Sequence, residues 1–186
     1  STGEHSIALA NKGFEVFGIE SSSLMDNIAQ AKKHKLSKVN QARLHLFKFS
    51  YKDTLKELNG PFDAAIFLGN TLPHLFYTNK DFLKSVADAL RKENALMVFQ
   101  IINFQKTLDV RQGLRDFTVR PTEPNSYYKA NAFLGFYTKE KKDSVIYTRA
   151  IFSLTGDGAW SFTAINSTPI IDLRREEVEK ELRKLG

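Results

Sequence analysis

Cysteine is absent from the 186 residues. That removes both a disulfide framework and a thiolate metal site, and makes a reducing, cytoplasmic setting the expectation. Long apolar runs are missing as well. Stretches such as Ala95 to Phe99 are far too short to cross a bilayer, and the first residues lack the basic-then-apolar pattern of an export signal, so no membrane role is expected. There is no GxxxxGK phosphate loop, no GxSxG nucleophile turn and no histidine pair at metal spacing among His5, His34, His45 and His74. Nucleotide hydrolysis, acyl transfer and zinc chemistry therefore fall down the list. A strand ahead of the first loop is missing too. A sheet built that way would leave its centre unpaired, so the expectation is a piece of a longer chain.

What is present suits one domain with a proper core: 42% of the residues are hydrophobic. The net charge of +6 is spread over separate pieces, at Lys32 to Lys38, at Lys139 to Lys142 and at Arg174 to Lys184 among glutamates. Solvated faces explain this better than a stripe that tracks nucleic acid.

The stretch TGEHSIALANKGFEVFGIE, Thr2 to Glu20, organises the rest. Thr2 and Gly3 make a tight turn, Glu4 to Lys12 has helical spacing, Gly13 stops it, and Phe14 to Ile19 is an apolar strand ending on an acid. A glycine ahead of a helix lets a ligand approach backbone N–H groups and the positive dipole end. An acid at the tip of the next strand accepts the paired hydroxyls of a ribose. Gly3 and Glu20 fill those posts, although a purely structural crossover has the same order.

Ser21 to Lys33 follows as a helix capped by Ser21 or Ser22, with Leu24, Met25, Ile28 and Ala29 as its apolar stripe. Met25 is either core or a ligand neighbour. Arg43 to Phe49 is a strand running into Ser50 and Tyr51, which face a base or form a surface turn. Phe62 to Leu68 is the clearest buried strand, and Gly69, Asn70, Thr71, Leu72, Pro73 and His74 follow it. Polar groups past the C-terminal end of a central strand lie where open α/β sheets bind ligands. His74 there is a base, a hydrogen-bond donor or simply a satisfied side chain. A helix around Phe82 to Leu90 and a strand over Ala95 to Ile101 complete the alternation. The expected fold is α/β, a Rossmann-like doubly wound sheet, mostly parallel.

After Asn103 the pattern changes to aromatic-rich alternation at Ala132 to Tyr137, Ser144 to Leu154 and Trp160 to Ile165, with turns at Lys139 to Asp143 and Gly156 to Gly158. Arg111 to Asn131 reads as irregular. The whole is one domain: a core over 1–102, an antiparallel β insert after the fifth strand over 103–169, and a last helix over 170–186. The insert is a lid over the sheet edge, an extension of the fold, or the contact of a homo-oligomer.

With TGEHSIALANKGFEVFGIE, FDAAIFLGNTLPHL and LRKENALMVFQIINF in this order and spacing, the chain resembles a class I S-adenosylmethionine-dependent methyltransferase. FLGNTLPHL is similar to the LGNS-type segment of glycine and sarcosine N-methyltransferases. The resemblance implies S-adenosylmethionine as cofactor and methyl transfer to N or O of a small-molecule acceptor. It places Gly3 under the methionine part, Glu20 on the ribose diol, Ser21 and Met25 beside the adenosine, and Ser50 and Tyr51 on the adenine. Many members have aspartate at the position of Ser50. Leu68 and Gly69 would present backbone groups to the cofactor's amino end, with Asn70 and His74 nearby as catalytic candidates. The arginine that grips glycine's carboxylate corresponds to Ile102, so glycine itself is not the expected acceptor. Substrate contacts are sought at Asn70, His74, Tyr127, Tyr128 and Arg149.

Methyl transfer from a sulfonium needs alignment, exclusion of water and an unprotonated nucleophile, and no covalent or metal catalyst. Two rivals use the same residues. An NAD(P)-dependent oxidoreductase shares the strand, turn and acid but leaves FLGNTLPHL without a role. A methyltransferase-like RNA-binding module without activity would fit the shortened loop and the basic balance.

Overall fold

The computed structural model describes residues 1–48, 58, 60–78, 81–104, 106, 114–141 and 144–185. They divide into two compact units, residues 1–63 with 85–93, and residues 64–84 with 94–186.

In the first unit Gly3, left-handed at φ 78°, leads into α1 (Glu4–Asn11). Gly13 at φ 95° closes that helix, and the N–H groups of Gly13 and Phe14 return to the carbonyls of Ala10 and Leu9, at 3.0 and 3.2 Å. That is a left-handed helix cap. Because the amide of Phe14 belongs to the cap, Phe14 is not a strand residue as expected, and it is 59% exposed. β1 (Val16–Ile19) pairs in parallel with β2 (Leu44–Phe47), Val16 opposite Leu44. Between them run α2 (Ser23–Lys33), capped by Ser22 rather than Ser21, and a short α3 (Lys38–Arg43) capped by Ser37. Ala10, Ala29 and Leu44 are buried. Phe17 stacks on His45 at 4.7 Å and meets Phe62 edge-on at 5.2 Å.

In the second unit β3 (Ala64–Phe67) pairs in parallel with β4 (Leu96–Phe99), Ala64 opposite Leu96. Phe67 stacks on Phe99 and meets Phe82 edge-on, at 5.6 and 5.4 Å. Among the described residues the pair is not covered on both faces, because Ile66 of β3 is 44% and Leu96 of β4 58% exposed. Helix α4 (Thr71–Thr78) starts straight after the polar turn. Helix α5 (Phe82–Ala89) begins in the second unit and ends in the first.

The remainder is a four-stranded antiparallel meander: β5 (Leu114–Pro121), β6 (Ala130–Lys141), β7 (Ser144–Leu154) and β8 (Trp160–Ile171) in sequence order. Two expectations need correction. Among the described strands the antiparallel sheet holds the longest, so "mostly parallel" applies only to β1–β2 and β3–β4. The stretch read as irregular contains β5. Its alternation is hidden by Arg115, Asp116, Arg120 and Pro121, residues that suit an edge strand. Phe104, Tyr137, Val145 and Ile170 form the buried cluster of this unit. Each such side chain contributes about 1.5–3 kcal/mol relative to exposure. The last helix, α6 (Arg175–Arg183), turns Val178 inward, and the Glu177 carboxylate accepts the Arg174 N–H at 3.0 Å. Among the described residues no helix is long and apolar enough to cross a membrane.

Candidate functional site

In the first unit the opening turn folds against the acid at the end of β1. The N–H of Glu20 donates to the Phe47 carbonyl at 3.0 Å, which carries the parallel pairing one residue past the strands and fixes the carboxylate at their tip. Oε1 of Glu20 accepts the Ser22 N–H at 2.8 Å, while Oε2 contacts the backbone nitrogen of Ser1. The Glu20 side chain is only 16% exposed. Ser1 Oγ accepts the Gly3 N–H at 3.4 Å, so Gly3 and Glu20 share one small neighbourhood. A Cβ on Gly3 would lie 3.0 Å from the Ala29 side chain, and the left-handed φ disfavours one anyway. Ser21 and Met25 sit on the exposed side of the α2 start. Ser50 and Tyr51 lie outside the described residues. A carboxylate held among backbone nitrogens beside a glycine turn fits a ribose and the chain attached to it.

In the second unit β3 ends in two consecutive left-handed residues, Gly69 at φ 66° and Asn70 at φ 62°. The end of β4 holds them there. Gln100 donates its N–H to the Phe67 carbonyl at 2.8 Å, accepts the Asn70 N–H on its own carbonyl at 3.2 Å, and takes the Gly69 N–H on its side-chain oxygen at 2.9 Å. The Leu68 carbonyl accepts the Thr71 hydroxyl at 2.6 Å. Both backbone groups that the resemblance gives to a cofactor are thus engaged within the chain, though a carbonyl keeps a second lone pair. Asn70 is buried, and its Oδ1 accepts the Ile102 N–H at 3.0 Å. His74, one turn into α4, is half-buried, and desolvation holds its imidazole below the ordinary 6.5.

Gly69, Asn70 and His74 line a cavity of about 500 Å³. Gln100 to Asn103 and Lys106 form a second side. Asp116 of β5, Tyr137 of β6 and Tyr147 of β7 form the third. The antiparallel sheet therefore supplies a wall to the hollow that the expected Asn70 and His74 share. Asp116 and the two tyrosines were not among the sequence candidates. Their signal, three polar groups on one sheet face, appears only once the register sets Asp116 opposite Gly135 and Tyr137 opposite Tyr147. Tyr127, Tyr128 and Arg149 do not line the cavity. Tyr127 is 80% exposed and meets Tyr128 edge-on at 5.1 Å in the β5–β6 turn, while the Arg149 guanidinium stands 5.0 Å over the Phe133 ring. Ile102 lies in the cavity wall and packs on the Phe104–Tyr137 cluster. In the first unit a hollow of about 620 Å³ beside Pro61 and Asp88 contains none of the candidates.

No family model matches the chain. Over 118 residues it is 31% identical to a glycine/sarcosine N-methyltransferase of Parasynechococcus marenigrum (strain WH8102), covering 60% of this chain and 40% of that relative. It is 27% identical over 187 residues to YqeM of Bacillus subtilis (strain 168), a protein named as a methyltransferase, covering all of this chain and 69% of the relative. Among solved structures it matches an S-adenosylmethionine-dependent methyltransferase from Clostridium acetobutylicum ATCC 824 with a TM-score of 0.69 at 17% identity, over 99% of this chain and 68% of that one. That last likeness is one of fold. The chain spans about 40% of the length of the first of these relatives.

Proposed function

We propose that this chain, a relative of the class I S-adenosylmethionine-dependent methyltransferases in sequence and in fold, belongs to an enzyme that moves a methyl group from S-adenosylmethionine to N or O of a small-molecule acceptor. The observation that carries the reading is the Ser1–Gly3 turn closed on the Glu20 carboxylate at the tip of β1. Bound S-adenosylmethionine supplies an electrophilic methyl on a sulfonium, and the residues have to bind, orient and dry the reactants.

Glu20 accepts the ribose hydroxyls, Gly3 keeps the turn open to the methionine part, and Ser21 and Met25 flank the adenosine. Ser50 and Tyr51 take the adenine. In the second unit Leu68 and Gly69 serve the cofactor's amino end. Asn70, with Oδ1 occupied by the Ile102 N–H, offers a ligand its Nδ2 donors. His74, neutral near pH 7 because of its burial, accepts a proton from the acceptor. The wall formed by β5 to β7 excludes water from this hollow, which is the lid role for the insert. The acceptor is a small molecule rather than a nucleic acid, and the cysteine-free composition suits the cytoplasm.

Calorimetric titration with S-adenosylhomocysteine and, separately, with NADH tests the reading. Tighter binding of NADH would end it. So would undetectable binding of both together with oligonucleotide affinity that falls steeply with salt.

A further inference from the structure

The antiparallel sheet has two faces of unlike chemistry. Its register lays side chains in rows across β5 to β8, and alternate rows point to opposite faces. One row is Phe117, Leu134, Ala150 and Ile165. The next on the same face runs from Val119 to Phe162 and a third from Pro121 to Trp160, through alanine, phenylalanine and leucine alone. A bulge at Thr163 keeps Phe162 and Trp160 in step with Ile165. The intervening rows, which face the other way, hold Asp116, Arg149 and Arg120. No charged side chain falls in the three apolar rows.

This face is open. Phe117 is 64%, Phe162 59%, Ile165 56%, Val119 48% and Trp160 47% exposed, while Ala132 and Ala150 between them are buried. Large side chains therefore rise along both edge strands over a floor of alanine. A sheet face that meets water carries polar residues. These rows carry none. Half-exposed side chains of roughly 150–250 Å² leave on the order of 500 Å² of apolar surface in one patch. An interface about 65% apolar with that patch at its centre covers roughly 800 Å² per copy, the size of a standard specific contact.

We infer that this face is the contact between two copies of the chain, packed sheet against sheet about a two-fold axis. A charged partner would bury its charge against rows that have nothing to pair with it, whereas a second copy brings the same neutral rows. The shape is self-complementary, since the β8 rim of one copy fits the alanine floor of the other. The net charge of +6 on each copy stays outside the contact. The opposite face keeps Asp116, Tyr137 and Tyr147 on the hollow of this unit, so one sheet serves both purposes.

Trp160 is the only tryptophan in the sequence, and its fluorescence reports on this face without any substitution. Sedimentation velocity and acrylamide quenching of Trp160 are measured together while the protein is diluted from about 100 µM to about 0.1 µM. The mass should fall from twice the 21.1 kDa of the chain to that of one chain. Trp160 should become about 2-fold more quenchable with the same midpoint. Phe117→Lys and Phe162→Lys put a cation on a surface already open to water, so each should fold, and each should raise the midpoint at least about 100-fold. Asn166→Glu charges the other face of β8 and should leave the midpoint in place. The wild-type dilution decides the matter even where a variant does not fold. A wild type that is monomeric at the highest concentration overturns the inference, and phosphatidylcholine vesicles that then shield Trp160 assign the face to a lipid surface instead. A dimer whose Trp160 is as quenchable as in the monomer, or one that persists in the Phe117→Lys, Phe162→Lys double variant, has its contact elsewhere and overturns it as well.

Discussion

Two carboxylates, one in each unit, are placed by different backbone devices and end in opposite condition. Glu20 ends a parallel strand and has both oxygens engaged by backbone nitrogen. Asp116 follows a bulge on an edge strand and has a buried oxygen with no partner. The difference separates architecture from recognition. A carboxylate already surrounded by donors is oriented before any ligand arrives, and adds binding energy by sharing lone pairs. One whose oxygen is buried without a donor is a cost that the surrounding fold has to offset.

The largest expected effect comes from Glu20→Ala, which removes the pre-oriented acid and should weaken S-adenosylhomocysteine binding by roughly 1–3 kcal/mol. Unchanged affinity in calorimetry would make Glu20 a structural strand end and erase the contrast. Gly3→Ala comes next. It forces a side chain onto the left-handed backbone and against Ala29 at 3.0 Å, and should cost about 1–2 kcal/mol of stability in urea denaturation. In the other unit the sign reverses: Asp116→Asn should leave stability unchanged or raise it by up to about 1 kcal/mol, because a buried charge is replaced by a group able to donate. A clear loss in thermal melting would mean that Oδ1 has a structural partner after all.

His74 sharpens the comparison through pH. Its folded pKa lies below the ordinary 6.5 because burial disfavours the imidazolium, so the unfolded chain binds the proton more readily. Stability should therefore fall as pH drops through and below 6.5, and methyl transfer should lose its base over the same range. His74→Gln should flatten both curves. The smallest effect belongs to Tyr127→Ala, at 80% exposure and away from the cavity, which should shift stability and turnover by less than about 0.5 kcal/mol equivalent.

How much of this was legible in the sequence follows the range of the interactions. Gly3, the helix after it and Glu20 are set by turn and cap chemistry within twenty residues, and the α/β class shared with the methyltransferase neighbour came from such local signals. The run Leu68 to His74 was recognisable as a strand end, but α4 was not. Thr71 to Thr78 carries a proline and aromatics, and helix forms there with Leu72 and Leu75 buried. Asp116 was invisible because its importance depends on a bulge and on a glycine nineteen residues later in the partner strand. Tyr127, Tyr128 and Arg149 were chosen as an aromatic pair and a cation. Tyr127 and Tyr128 fall in the β5–β6 turn rather than in a strand, and Arg149 shares the face of Tyr147 but lies one pleat further along, with its guanidinium over Phe133, so position along the sheet and not the face sets them off the cavity.

The grip of Gln100 on Gly69 and Asn70 ties the mouth of the hollow to the pairing of two strands about thirty residues apart in the chain. Slippage of β4 by one position would take with it the Ile102 amide that Asn70 holds, and so the wall itself. An occupant of the hollow should act as a clasp on that pairing, and deuterium uptake at the Ile102 amide should slow when the occupant is in place.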